Sequence, residues 1–215
     1  MRIFLVLAVL VALIGGGGYW YWTTTPQFAV QQAKDAVKKH DLKTFEKYVD
    51  LKTVSSEMAD DLLKKPVIAM LGEGIFGHII AATFTGLFKP QFTRQVEDDL
   101  RHYVEFGNWG EAQSPLGGVD SKLGVHKHKF KEITGVSTEG SIGQVTVVLE
   151  NESEANKQLL VIFMMRKVDN HWQIISVKNF PEIIGKLVEL KIQDGQQNDM
   201  KSSDMPAAPS GRERI

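Results

Sequence analysis

The chain has 215 residues, 43% of them hydrophobic and 24% charged, with 25 Lys plus Arg against 26 Asp plus Glu. A formal net charge of −1, with no block of like charge, argues against nucleic acid or a polyionic partner. Without cysteine, a folded domain here must be held by its core and not by disulfide staples.

The chain opens "MRIFLVLAVLVALIGGGGYWYWTTTP", with no charge from Ile3 to Trp22, close to the ~20 residues that cross a hydrocarbon core as a helix. Arg2 and the apolar run Ile3–Ile14 would also suit a cleavable signal peptide, with Gly15–Gly18 as the cleavage region. The glycines lead into Tyr19-Trp20-Tyr21-Trp22, bulky amphipathic aromatics typical of a membrane–water interface and a poor substrate for a peptidase that wants small side chains. Residues 1–24 are therefore expected to be a retained transmembrane signal anchor, embedded through residues 3–22. Arg2 favours a cytoplasmic N-terminus, a bias weakened by Lys34, Lys38 and Lys39. The expected placement is single-pass in the cytoplasmic (inner) membrane, with the C-terminal domain outside the cytoplasm.

Residues 25–193 have the length of one domain with a sizeable core. Thr25-Pro26 is a helix start, a capping hydroxyl before a proline at the first helical position. Ala29, Val30, Ala33 and Val37 then share a face, and His40-Asp41 breaks the pattern. Asp41 caps a second short helix with Leu42, Phe45 and Val49 inward. Asp50 caps a third, with Leu51, Val54, Met58 and Leu62 in phase, which Pro66 is expected to end. The apolar, glycine-interrupted segment Pro66–Pro90 is expected to be buried under a sheet, the alternatives being contact with the bilayer or with a partner. Phe92, Val96, Leu100 and Tyr103 mark a further amphipathic helix, and Trp109–Gly124 reads as a loop.

Beyond this loop the pattern changes to strands: "HKFKEITGVS", "SIGQVTVVLE" with Val145, Val147 and Leu149 alternating, and "QLLVIFMMRKV", a run expected to be covered on both faces. Asp169-Asn170 signals a hairpin into "HWQIISVKNF", and "PEIIGKLVELKI" closes the domain as a helix. Helices followed by an antiparallel meander define an α+β class, with a curved sheet wrapped around an N-terminal helix. The remainder, "DGQQNDMKSSDMPAAPSGRERI" (194–215), is too poor in apolar side chains to support a core and is expected to be a disordered tail.

Two resemblances accompany this reading. An apolar N-terminal segment followed by Thr25-Pro26, Ala33, Ala36-Val37, His40-Asp41, Phe45 and Tyr48-Val49-Asp50 resembles a bacterial family of membrane-anchored proteins, domain-of-unknown-function family 2939, over residues 20–190. Its most specific stretch is "KKHDLKTFEKYVD"; the family has no established activity, so the resemblance implies an anchor and no functional residues. The hairpin "LLVIFMMRKVDNHWQIISVKNF" is similar to the last two strands of the nuclear-transport-factor-2-like (cystatin-like) fold, in which a polar turn leads to Trp and a β-branched pair, here Trp172 and Ile174-Ile175. That fold hosts enzymes and binding modules alike. The helical insertion Pro66–Phe106 departs from its simple form.

Candidate chemistry is sparse. His126-Lys127-His128 offers two imidazoles on one side of a strand for a metal, although with no third ligand nearby an exposed strand end is the plainer explanation. Glu97-Asp98-Asp99, with Asp98 one helical turn from His102, offers a general acid or base on what is otherwise a wet helix face. Glu73 and His78 stand in apolar surroundings that would perturb their ionisation. Trp172 can stack on a ligand or simply fill the core. No phosphate loop, nucleophile elbow, paired metal motif or triad spacing is present, so neither cofactor nor metal is expected. The favoured function is a non-catalytic extracytoplasmic module binding an envelope protein or an apolar ligand. The alternative is an enzyme with an acid–base pocket inside the curved sheet, using Glu73, His78 or Asp98.

Overall fold

The computed structural model describes residues 22–71, 75–110, 114–152 and 157–203, so the expected membrane segment lies outside the described residues except for Trp22. Helix α1 (Pro26–Lys39) starts where a hydroxyl and a proline prescribe it: the Thr25 side chain accepts from the Phe28 N–H at 3.3 Å. It ends at His40, whose left-handed backbone (φ 57) turns the chain. Asp41 then accepts from the Thr44 N–H at 2.9 Å to cap α2 (Leu42–Tyr48). Asp50 does the same for α3 (Leu51–Leu71), accepting from the Thr53 N–H at 3.1 Å.

The break expected at Pro66 does not occur, and Pro90, the other bound of the apolar segment, interrupts no helix either. Helix α3 passes through Pro66 to Leu71, and α4 (Ile75–Phe106) runs for 32 residues with Pro90 inside it. An interior proline forfeits one helical hydrogen bond and crowds the preceding turn. Here the antiparallel packing of α3 on α4, tied by Lys89 Nζ to Asp60 Oδ2 at 2.7 Å, holds both helices through the proline. The expected loop Trp109–Gly124 also contains a helix, α5 (Pro115–Leu123), capped by Ser114 and closed by Gly124 at φ 72. A short 3₁₀ turn (Val125–Lys127) leads into the sheet.

Strands β1 (His128–Glu139), β2 (Ile142–Asn151), β3 (Gln158–Val168) and β4 (His171–Val177) form an open antiparallel meander in sequence order. Asp169, at φ 50, makes the β3–β4 turn. One sheet face carries Val145, Val147, Val161, Met165, Trp172 and Ile174 into a core completed by Ala29, Val30 and Ala33 of α1 and by Tyr48, Leu51 and Val54. Among the described residues the N-terminal helix and the first turns of α3 cover this face; most side chains of the Pro66–Pro90 segment, expected under the sheet, lie outside the described residues. The other face is covered only in part, since Leu160 is 55% exposed. Beyond β4 the ladder to β3 is continued by the Asn179 side chain, which accepts from the Ile162 N–H and donates to the Leu160 carbonyl, both at 2.8 Å.

The closing helix α6 (Phe180–Ser203) continues past the expected boundary at Asp194. Apart from Gly195 no helix-breaking residue intervenes before Pro206, so nothing local stops the turn from repeating. Residues 204–215 lie outside the described residues. Among the described residues no helix is long and apolar enough to cross a membrane.

Candidate functional site

A helix repeats its face every three or four residues, which aligns Phe92, Gln95, Asp98, Asp99 and His102 along one side of α4. This face opens into a cleft of about 780 Å³, walled on the far side by Trp109, Gly110, Ser114 and Pro115. The far wall is built by a reversal of the chain after α4. Gly107, at φ +73, turns the backbone under the His40 ring, and Trp109 then stacks on Tyr103 with ring centroids 4.2 Å apart. The Asn108 carbonyl oxygen, Oδ1, accepts from the Gly110 N–H at 2.9 Å and lies 3.2 Å from His102 Nε2, fixing the imidazole against the loop.

The acidic run separates into three roles. Glu97 binds Arg101 at 2.9 Å, and the same guanidinium grips Glu46 of α2. Asp98 remains exposed at the cleft. Asp99 is only 7% exposed, and its Oδ2 accepts from the Leu116 N–H at 2.8 Å, seating the first turn of α5 on α4. Burial raises the Asp99 pKa above the usual carboxylate range. The Leu116 N–H and the Ser114 hydroxyl oppose that shift, while the neighbouring Asp98 charge adds to it.

The two histidines near β1 are not a strand pair. His126 belongs to the 3₁₀ turn and faces Asp120: its backbone N–H donates to Oδ1 at 2.6 Å and its Nδ1 lies 3.1 Å from both carboxylate oxygens. His128 starts β1 with both ring nitrogens buried, and burial holds its pKa below the ordinary imidazole value, opposed by the Gly124 and Val125 backbone groups beside it. No group of three or more metal-binding side chains occurs among the described residues.

Trp172 is a core residue. It is 5% exposed, its indole N–H donates to the Thr24 carbonyl at 2.9 Å, and its ring lies where a Cβ on Gly143 would come within 2.9 Å. Glu73 and the side chain of His78 lie outside what the structure describes. Of the expected acid–base residues, Asp98 and His102 therefore share one cleft, formed by helices and a loop with no strand in its lining.

Sequence reasoning missed the far wall. Ser114-Pro115 repeats the hydroxyl–proline start seen at Thr25-Pro26, but Gly117-Gly118 directly after it hides the helix. Together these elements define an α+β domain with an open four-stranded antiparallel sheet and a helical cleft beside it. No family model, curated protein or solved structure matches the chain.

Proposed function

We propose that this is a single-pass membrane protein whose domain, outside the cytoplasm, is a non-catalytic binding module, with the α4–α5 cleft as the place where an envelope protein or apolar ligand is held. The observation that carries this reading is the division of labour in the cleft. Asp99 is committed to the Leu116 N–H and His102 lies against Asn108, so both groups shape the cavity, while Phe92 and Trp109 supply apolar wall. Large aromatic surfaces with a few fixed polar groups are the composition of a ligand site. The membrane part of the reading rests on the uncharged run from Ile3 to Trp22 and its aromatic end.

Membership of family 2939 and of the nuclear-transport-factor-2-like fold belongs to the same proposal. Helices that precede an open antiparallel sheet support the fold comparison. The "KKHDLKTFEKYVD" stretch has a structural sense independent of any activity: His40 makes the left-handed turn after α1 and Asp41 caps α2. For the acid–base alternative, Asp98 lies in the helical cleft rather than among the strands, and Glu73 and the His78 side chain lie outside the described residues.

Native mass spectrometry of the full chain released from membranes tests the reading. A co-purifying species lost in Trp109→Ala and retained in Leu160→Ala is the expected result. A bound species indifferent to Trp109→Ala would move the site elsewhere, and its consumption by the wild type but not by Asp98→Asn would make the protein an enzyme.

A further inference from the structure

Among the described residues the α4–α5 cleft is lined by two carboxylates, Asp98 and Asp99, and by no Lys or Arg. Asp98 is exposed and takes part in no ion pair among the described residues. Arg101, one turn further along α4, is held by Glu46 and Glu97. Arg94, one turn earlier, is exposed and outside the lining.

The hydrogen-bond donors around these carboxylates are already spent. Asn108 is fixed from both ends, its Nδ2 donating to the Phe106 carbonyl at 3.2 Å and its Oδ1 accepting from the Gly110 N–H at 2.9 Å. His102 Nε2, 3.2 Å from that same oxygen, must therefore carry the proton, which leaves Nδ1 of the neutral ring as an acceptor. At the start of α5, Pro115 has no N–H and the Leu116 N–H goes to Asp99. The Gly117 N–H goes to the Ser114 hydroxyl oxygen at 3.1 Å and the Gly118 N–H to the Ser114 carbonyl at 2.8 Å. The Ser114 hydroxyl itself bonds Asp99. A helix start of the kind that draws an anion has nothing left to offer one. Among the lining side chains only the Gln95 amide keeps an open donor.

The apolar wall suits the same charge. Phe92, Trp109 and Pro115 line the cleft, and the Trp109 indole N–H is buried, so what this ring presents is carbon. Stacking on Tyr103 holds the ring in place before any ligand arrives. An aromatic ring attracts a cation through its quadrupole. We propose that the cleft binds a small organic ammonium ion, its charge on Asp98 beside Asp99 and its apolar body along Phe92, Trp109 and Pro115. The inference rests on the reading that this cleft holds a ligand, and narrows that ligand to an apolar molecule bearing an amine. A volume of about 780 Å³ is that of a small-molecule site, which favours a free amine over a lysine presented by a protein. An anion finds no cation in the lining, and a neutral molecule leaves Asp98 unpaired.

Ligand-observed NMR titration of the full chain in a non-ionic detergent compares benzylammonium, benzyl alcohol and benzoate, which share a ring and differ in head charge. Benzylammonium is expected to bind roughly fivefold tighter than the alcohol, with benzoate weakest. Asp98→Asn, at an exposed position, should weaken the cation about threefold to fivefold, the scale of one exposed ion pair, and leave the alcohol unchanged. Trp109→Ala should weaken both. Glu139→Gln, at the end of β1 and outside the cleft, should change neither.

Equal affinities for benzylammonium and benzyl alcohol, both lost in Trp109→Ala, would keep the cleft as a ligand site and overturn the amine. Cation binding that survives both Asp98→Asn and Trp109→Ala lies elsewhere and overturns the proposal. A loss in Glu139→Gln as large as in Asp98→Asn means general attraction to the chain and overturns it too. So does a preference for benzoate or the binding of no probe, the cleft itself then being judged by the species that co-purifies with the chain. Tighter binding of N-acetyl-lysine methylamide than of benzylammonium would give the site to a protein's lysine and overturn the free amine.

Discussion

The sheet and the α3–α4 hairpin are both rich in apolar residues, but they dispose of them in opposite ways. In the sheet, alternation sends Val145, Val147 and Val161 to one face, into a core that α1, Tyr48 and the first turns of α3 complete. In the hairpin the sequence sets apolar residues side by side, as in Ile75-Phe76 and Ile79-Ile80, a spacing that no single helical face collects, and Leu87 is exposed. Where the period of the pattern matches the element, the domain can satisfy the surface itself. Where the pattern exceeds the period, one face cannot collect it.

The sharpest way to break this contrast is to hollow out the sheet core. Trp172→Ala removes a buried ring together with its hydrogen bond to Thr24 and should cost about 3–5 kcal/mol. Chemical denaturation of the full chain would measure it, and a loss below about 1 kcal/mol would mean that the sheet is not packed as described. Gly143→Ala asks the same question from the opposite side. Its Cβ would press on the Trp172 ring at 2.9 Å, so overpacking should cost about 1–3 kcal/mol.

Asp99→Ala probes the junction between the two regions. It leaves the Leu116 N–H without its acceptor at a buried helix start, a loss of about 1–3 kcal/mol. Hydrogen exchange should localise the loosening to α5, and uniform exchange across the domain would contradict the seating role. Leu87→Ser should give the smallest effect, within about 0.5 kcal/mol in detergent-free water, because the side chain is already exposed. A large destabilisation there would show that the hairpin surface is packed after all.

A pH prediction concerns the start of the sheet. The folded His128 pKa lies below its ordinary value of 6.5 because the ring is buried, so the unfolded chain takes up the proton more readily. Stability is then fully present above pH 6.5 and is lost as the pH falls through that value toward the folded pKa. His128→Phe should flatten this part of the stability–pH curve. An unchanged slope would assign the dependence to another group.

Local chemistry made much of this legible. Thr25-Pro26, Asp41 and Asp50 announce three helix starts by side chains that satisfy backbone N–H groups nearby, and Asp169-Asn170 announces the hairpin. Pro66 and Pro90 misled because their cost is local while the compensation, a partner helix, comes from distant sequence. The cleft was half legible. Phe92, Val96 and Leu100 mark the inner side of α4, yet Asp99 looks solvated until α5, more than a dozen residues on, settles on it. Glycine-rich segments such as Gly117-Gly118 conceal a helix whose reason for existing is tertiary.

The hydrogen bond from Trp172 to the Thr24 carbonyl bears on mechanics. Trp22 stands two residues before that clamp, and its own carbonyl is bound by the Thr25 N–H and hydroxyl at 3.1 and 2.8 Å. No slack linker separates Trp22 from the β3–β4 hairpin. A pull or a torque applied at Trp22 is therefore delivered to the sheet within one turn of chain, so that the domain would follow its N-terminal segment as a stiff lever rather than drift on a leash.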